Sequence, residues 1–169
     1  RDRRWRGRVW LNSFTNTLQI DDRDYRDTDD TRIALWVSRA YGLEYSDAAV
    51  SATVQLIGEE NKRNPLLEWL DSLHWDGTPR LASWVIEATD CDDTDLNRKM
   101  AEKWLIQAIA RAYKPGCKAD CVLILAGDQG AGKSTLFRTL ATEEYFADTP
   151  LDIGSANSYS QIARAWIYE

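Results

Sequence analysis

The sequence predicts an α/β fold, with a mainly helical N-terminal region (1–114) leading into an α/β core that opens at 115 and runs to 169. Three observations predict it. Apolar residues recur at helical spacing through most of 31–113. A continuous apolar run, Cys121-Val122-Leu123-Ile124-Leu125-Ala126, then breaks that period, as a strand buried on both faces would. A glycine-rich turn and a new helical pattern come directly after it.

The elements run in order. Arg8 to Ile20 is rich in strand formers (Val9, Trp10, Phe14, Thr15, Thr17, Ile20) and predicts a short hairpin over 8–20. Asp21 to Asp30 reads as an acidic loop. Thr31 to Ala40 reads as a helix with Ile33, Trp36 and Val37 on one face, stopped by Gly42. Ser46 caps the next, which runs to about Asn61 on Val50, Val54 and Ile57. Asn64-Pro65 pairs a cap with a first-turn proline and opens a third helix, buried through Leu66, Leu67, Trp69, Leu70 and Leu73. Trp75 to Arg80 is a turn. Thr78-Pro79 repeats the cap-and-proline device and predicts a helix with Leu81, Trp84, Val85 and Ala88 inward. Asp90 to Asp95 is an acidic loop. The longest helix covers about Asp95 to Tyr113, with Leu96, Met100, Trp104, Ala108 and Ala112 on a core stripe beside Leu105 and Ile109. Pro115-Gly116 ends it. After the apolar run come a helix over about 132–141, an irregular stretch over 145–154 and a short helix over 157–163. A strand from Arg164 ends on Glu169.

Composition narrows the function. The 169 residues suffice for one domain or two small ones, and 44% hydrophobic content argues for a packed core over global disorder. A net charge of -6 and a pI near 4.9 argue against a surface coated in nucleic-acid-binding charge. Arg1, Arg3, Arg4, Arg6 and Arg8 do cluster. They precede Asp21, Asp22, Asp24, Asp27, Asp29 and Asp30, so pairing or solvation is the preferred reading over a phosphate-contacting arm. The eight Trp residues read as core or interface. No apolar run approaches a membrane span and no signal peptide is visible, so a soluble, cytoplasmic chain is expected. Cys91, Cys117 and Cys121 suggest neither a disulfide framework nor a four-ligand zinc site. Cys121 is expected in the core, and His74 in a structural or surface role.

The chemistry sits in Gly127-Asp128-Gln129-Gly130-Ala131-Gly132-Lys133-Ser134, a complete G-x-x-x-x-G-K-[ST] P-loop followed by Thr135. Gly127, Gly130 and Gly132 let the backbone curl and approach a ligand closely. Successive N–H groups then make an anion-binding nest, and the helix behind adds partial positive charge. Lys133 reaches β- and γ-phosphates. The Ser134 hydroxyl suits Mg²⁺. Buried strand before and helix after are the flanks such a site needs, so ATP with Mg²⁺ is the expected ligand pair. Asp128 is expected to face solvent. Hydrolysis also needs an acid to hold the Mg²⁺ shell or position water. Glu169 is the candidate, at the end of an apolar stretch. Asp148 and Asp152 are rivals in a loop-like segment.

The same residues carry a resemblance. Asn64-Pro65, Leu70-Asp71-Ser72-Leu73 and Trp75-Asp76-Gly77-Thr78-Pro79-Arg80-Leu81 resemble a block of the virulence-associated E family. Lys103-Trp104-Leu105-Ile106, Ala110-Arg111 and Pro115-Gly116-Cys117-Lys118-Ala119-Asp120 continue the match. So do Gln129 to Thr135, Trp166-Ile167-Tyr168-Glu169 and, upstream, Leu11-Asn12-Ser13-Phe14. The resemblance implies an ASCE-type P-loop ATPase of phages, plasmids and other mobile elements. Such proteins are similar to the helicase half of primase–helicases and to superfamily 3 helicases, which act as rings, often hexameric, on single-stranded DNA. It implies phosphate and Mg²⁺ roles for Lys133 and Ser134, and the first Walker B acid at Glu169. The family pattern continues into a second glutamate, a sensor strand and an arginine finger, whereas this sequence stops at Glu169. The expected core is therefore truncated, with apolar surface left open, and full turnover is expected to need those missing parts. A primase domain upstream of Arg1 is a further expectation from the resemblance.

Two other readings stay open. A small-molecule or nucleotide kinase would need an arginine-rich lid, for which only Arg138 and Arg164 come after the motif. A non-enzymatic DNA-binding module switched by ATP would use 31–61 as a helix-turn-helix, but its polar faces are not notably basic.

Overall fold

The computed structural model describes residues 7–21, 23–150 and 162–169. Arg1, Arg3, Arg4, Arg6, Asp22, Asp152 and most of the helix expected over 157–163 lie outside them. The chain forms two compact units, Arg1–Pro65 and Leu66–Glu169. The division falls at 65/66 and not at 114/115, because α-helical residues before 114 pack against residues after 130. Trp104 stacks 5.5 Å from Phe137. Trp166 Nε1 donates to the Ala108 carbonyl at 2.8 Å.

The first unit opens with an antiparallel hairpin, β1 (Val9–Asn12) and β2 (Thr17–Ile20), in the register Val9↔Ile20 to Asn12↔Thr17. Asn12 Oδ1 accepts from the N–H groups of Phe14 and Thr15 at 3.0 and 3.3 Å, closing the turn with a side chain. A short β3 (Arg23–Asp24) adds to β2. Two helices come next, α1 (Asp27–Tyr41) and α2 (Asp47–Glu60). Gly42 ends α1 in the left-handed region at φ 67°, where glycine escapes the Cβ penalty. Ser46 Oγ caps α2 by accepting from Ala49 N–H at 3.3 Å. Val9, Ile20, Val50 and Val54 form the core, with Leu18, Tyr25, Ile33 and Ala34 against it. Gly58, not Ile57, completes the buried face of α2. A Cβ at 58 would collide with Leu18 Cδ2, so the closest approach of helix and hairpin needs glycine there.

The acidic stretch is not a loop. Asp27, Asp29 and Asp30 form the first turn of α1, where carboxylates oppose the positive end of the helix dipole. Asp29 is buried, and the guanidinium of Arg23 grips it with two 2.7 Å bonds. Arg26 N–H and Arg32 Nη1 add bonds at 3.0 and 3.2 Å. Arg8, the described member of the arginine cluster, pairs with Asp21.

The second unit comprises α3 (Pro65–Ser72), α4 (Trp84–Thr89), α5 (Asp95–Tyr113), α6 (Lys133–Tyr145), β4 (Phe146–Ala147) and β5 (Ile167–Tyr168). Two aromatic chains tie it together. Trp84, Trp104 and Phe137 stack in sequence, with centroid distances of 5.9 and 5.5 Å. Tyr145 and Trp166 flank Trp69 at 5.6 and 5.9 Å. Leu66, Ala101 and Ala141 are fully buried. Burial pushes the Tyr145 hydroxyl up to about 12, with neighbouring Glu144 adding to the shift. Trp166→Phe is expected to lower stability by about 1–2 kcal/mol, since the Ala108 carbonyl loses its indole donor while an aromatic ring stays. A thermal melt checks it.

Four expectations for this unit are corrected. First, α4 starts at Trp84, not after Thr78. Asp76 accepts the Thr78 N–H at 2.9 Å and both arms of Arg80 at 2.9 and 2.8 Å, holding 76–80 in a turn. Leu81, like Leu73, is then exposed. Second, α5 has the predicted span, but its N-terminal stripe faces out. Leu96 and Met100 are exposed and Ala101 is buried, because Trp84 Nε1 bonds the Ala101 carbonyl and brings α4 to that side. Third, α6 continues to Tyr145 through a kink at Thr142, whose φ of 63° and ψ of 163° are non-helical.

The fourth correction is the largest. Residues 121–126 form no strand, and Val122 and Ile124 are 84% and 83% exposed. Cys121 is exposed as well. A buried strand needs ladder partners on its edges. Among the described residues none lies beside this run, since β4 and β5 pair only with each other, in parallel. Gln107 holds its start through Cys121 N–H and Sγ, both at 3.4 Å. Among the described residues, no helix is long and apolar enough to cross a membrane.

Candidate phosphate-binding site

The loop 127–132 and the N-terminus of α6 form one continuous feature. Gly130 and Gly132 sit at φ +82° and +80°, the left-handed region that favours glycine. Gly127 does not have positive φ, so its part in the turn is smaller than the motif suggests. A Cβ on Gly127, Gly130 or Gly132 would meet nothing within 4 Å, so the loop faces open space. Ala131 N–H closes the turn on the Asp128 carbonyl at 3.3 Å. Asp128, Gln129, Gly130 and Ala131 are exposed, as are Ser134 and Thr135.

Lys133 folds back over this loop. Its ammonium donates to the carbonyls of Gly127 and Asp128 at 2.9 and 2.7 Å. Those partners are weak compared with phosphate oxygens, and the side chain is only half-buried, so the charge is free to turn outward.

Across the loop mouth, Ser134 Oγ donates to Glu169 Oε1 at 2.8 Å, joining residues 35 apart in sequence. The parallel ladder delivers Glu169 to that point. Trp166 N–H bonds Tyr145 O at 2.8 Å, and Glu169 N–H bonds Ala147 O at 2.9 Å. Of the rival acids, Asp148 is tied to Arg138 at 2.8 Å, and Asp152 lies outside the described residues. Arg138 also reaches Glu143 at 3.7 Å and lies over the Phe146 ring, so it is not held as an open lid.

The donor set suits Mg²⁺ of a nucleotide complex. A hydroxyl and a carboxylate oxygen in contact are hard ligands, and Mg²⁺ typically takes one or two such protein groups beside phosphates and water. Among the described residues, no cluster of three or more His, Cys, Asp or Glu could hold a metal on its own. Cys91, Cys117 and Cys121 are free thiols. His74 is an exposed residue whose Nδ1 lies 2.7 Å from the Ser72 carbonyl.

The motif does not reveal a cavity of about 400 Å³ against the loop. Val85, Ala88, Thr89, Asn97, Met100 and Leu123 line it, with Gly127, Gly132 and Lys133 at its loop side. Helical periodicity assigns Met100 to the core, and nothing in the sequence singles out Asn97. The only hint is the exposed end of the α5 stripe, which needs α4 in place to be seen.

The family model of the virulence-associated protein E-like domain matches residues 70–169. No curated protein matches the chain. The matched stretch covers more than half of the sequence and contains α4, α5, the glycine loop, α6 and Glu169. The chain therefore belongs to the virulence-associated protein E-like domain family.

Proposed function

We propose that this chain binds ATP with Mg²⁺ on residues 127–135 and serves as the ATP-hydrolysing part of a DNA-replication motor of a phage, plasmid or other mobile element. The observation that carries the ATP reading is the Ser134–Glu169 contact at 2.8 Å, set at the mouth of a glycine loop that opens a 13-residue helix. Local turn chemistry alone does not bring a distant carboxylate to the P-loop serine.

In this reading the N–H groups of Gly130, Gly132, Lys133 and Ser134 receive the phosphates at the positive end of α6, while that of Ala131 stays on the Asp128 carbonyl. Lys133 leaves the Gly127 and Asp128 carbonyls for the β- and γ-phosphate oxygens. Ser134 and Glu169 are the residues that would hold Mg²⁺. When bound, Mg²⁺ would neutralise charge developing on the transferred phosphoryl group. Glu169 would hold the metal shell or orient the attacking water. DNA and ring assembly (a hexamer in the resembled helicases) come from the family likeness. The acidic net charge leaves DNA contact to a local patch.

The test is ATP hydrolysis with and without single-stranded DNA. A several-fold rise in rate with DNA is the expected result. Turnover indifferent to DNA would remove the DNA part, and phosphate transfer to a nucleoside acceptor would replace it with a kinase.

A further inference from the structure

We infer that Arg138 is a positioning residue for the proposed ATP site: it braces the strained kink in α6 so that the β4–β5 ladder presents Glu169 to Ser134. The inference rests on the P-loop reading and adds to it the means by which two distant groups are kept in register.

The path of the chain sets the problem. Ser134 lies in the first turn of α6, and Glu169 directly follows β5. Past the kink at Thr142 the chain turns back along the helix, so that Asp148 returns to Arg138. This returning stretch contains β4, which carries β5 in the register Phe146↔Ile167 and Ala147↔Tyr168. Glu169 N–H adds its bond to the Ala147 carbonyl. The direction in which the chain leaves α6 therefore decides whether Glu169 arrives beside Ser134.

Thr142 makes that reversal at φ 63° and ψ 163°, torsions that essentially only glycine adopts without strain. A β-branched residue stays there only where its surroundings over-determine it. Ala141 and Tyr145 are buried on either side. Tyr145 and Trp166 pack on Trp69, and Trp166 bonds the Ala108 carbonyl, so aromatic contacts tie the ladder to α3 and α5. Arg138 ties it to α6 itself. Its Nη2 donates to Asp148 Oδ2 at 2.8 Å, its Nε lies 3.7 Å from Glu143 Oε2, and its Cζ sits 5.2 Å from the centroid of the Phe146 ring. All three partners lie beyond the kink. Residues 134 and 138 are four apart and share a helix face, so this brace stands one turn from Ser134. The Glu143 and Asp148 side chains are 81% and 53% exposed, so the ion pairs add little to stability. Their effect is geometric. Ordinary torsions at Thr142 would swing β4 off the helix and take Glu169 with it.

The experiment measures ATP binding by calorimetry on the whole chain, once in EDTA and once with Mg²⁺, beside a thermal melt. The parent protein is expected to bind ATP more tightly with Mg²⁺. Arg138→Gln is expected to remove about tenfold of that gain, the low end for losing a group that orients metal ligands, with its EDTA affinity and melting midpoint held. Adding Thr142→Gly is expected to restore most of the gain, because glycine keeps these torsions without a brace. Thr142→Gly alone is expected to raise the midpoint, since the strain relieved exceeds the entropy cost of glycine. That measurement stands even if Arg138→Gln folds poorly. An undiminished Mg²⁺ gain in Arg138→Gln, an equal weakening in both conditions, a loss that glycine does not relieve, or a lower midpoint for Thr142→Gly would each overturn the inference and leave the P-loop reading standing. So would ATP binding to the parent protein that Mg²⁺ does not tighten. No ATP binding by the parent protein in either condition would remove the P-loop reading and this inference with it.

Discussion

Lys133→Ala is expected to reduce ATP hydrolysis by at least about 10²–10³-fold, the loss typical of removing one preorganised donor from a charged transition state. In the free protein Lys133 covers the carbonyls of Gly127 and Asp128. Alanine removes the cation that should meet the γ-phosphate and also uncovers two carbonyl oxygens at an anion site. Attraction is lost and repulsion is added. Lys133→Arg should recover only part of the rate, because its planar fork delivers charge in a different geometry from a compact ammonium. Folding should be unaffected, since the side chain bonds only to its own loop. Hydrolysis assays beside a thermal melt check both points. Activity within tenfold of the parent protein would remove Lys133 from the mechanism.

Asp29→Ala is expected to destabilise the first unit by about 3 kcal/mol, the low end for breaking a buried ion pair. The low end applies because Arg23 and Arg32 are 45% and 71% exposed, so water screens the guanidinium groups. For a unit of this size the midpoint should drop by roughly 4–8 °C per kcal/mol. The interaction also sets a pH dependence. The Arg23 fork, helped by the Arg26 N–H, holds the Asp29 carboxyl well below the usual carboxylate range, against the effect of burial. A depressed carboxyl favours folding above its unfolded pKa of about 3.9 and loses that contribution as pH falls toward its folded value. Melts of the parent protein should therefore fall steeply below about pH 4. Asp29→Asn keeps the shape without the charge, so it should start lower and show a flatter acid limb. Parallel acid limbs in the two proteins would show that Asp29 is not the group responsible.

Asp29 also marks where sequence reasoning stops. Six aspartates in a short stretch read as a solvated loop, and Arg23 lies among them without seeming to have a task. Only the β2–β3 pairing shows that Arg23 is placed to grip the first turn of α1. The Thr78-Pro79 pair misleads for a related reason. It is a sound helix opener by local chemistry, but Asp76 captures Thr78 N–H and Arg80 first. Apolar periodicity places α5 at Asp95–Tyr113 and is wrong about which residues at its N-terminal end are covered.

The sequence by itself determined the features whose causes lie within a few residues. Ser46 caps α2, Gly42 ends α1, and glycines at 130 and 132 turn the loop into α6. Each depends on backbone torsions and hydrogen bonds spanning one turn, so a short window contains the whole cause. The tertiary structure alone decided the burial of Asp29, the exposure of Val122 and Ile124 and the cavity between the loop and α4–α5, and it gave the Ser134 and Glu169 nominated by the motif and the resemblance their direct contact. In each of these the partner is contributed, or withheld, by another element. Desolvation and ladder pairing are properties of the neighbours a residue acquires, and a one-dimensional pattern states a residue's readiness for burial without naming what will cover it.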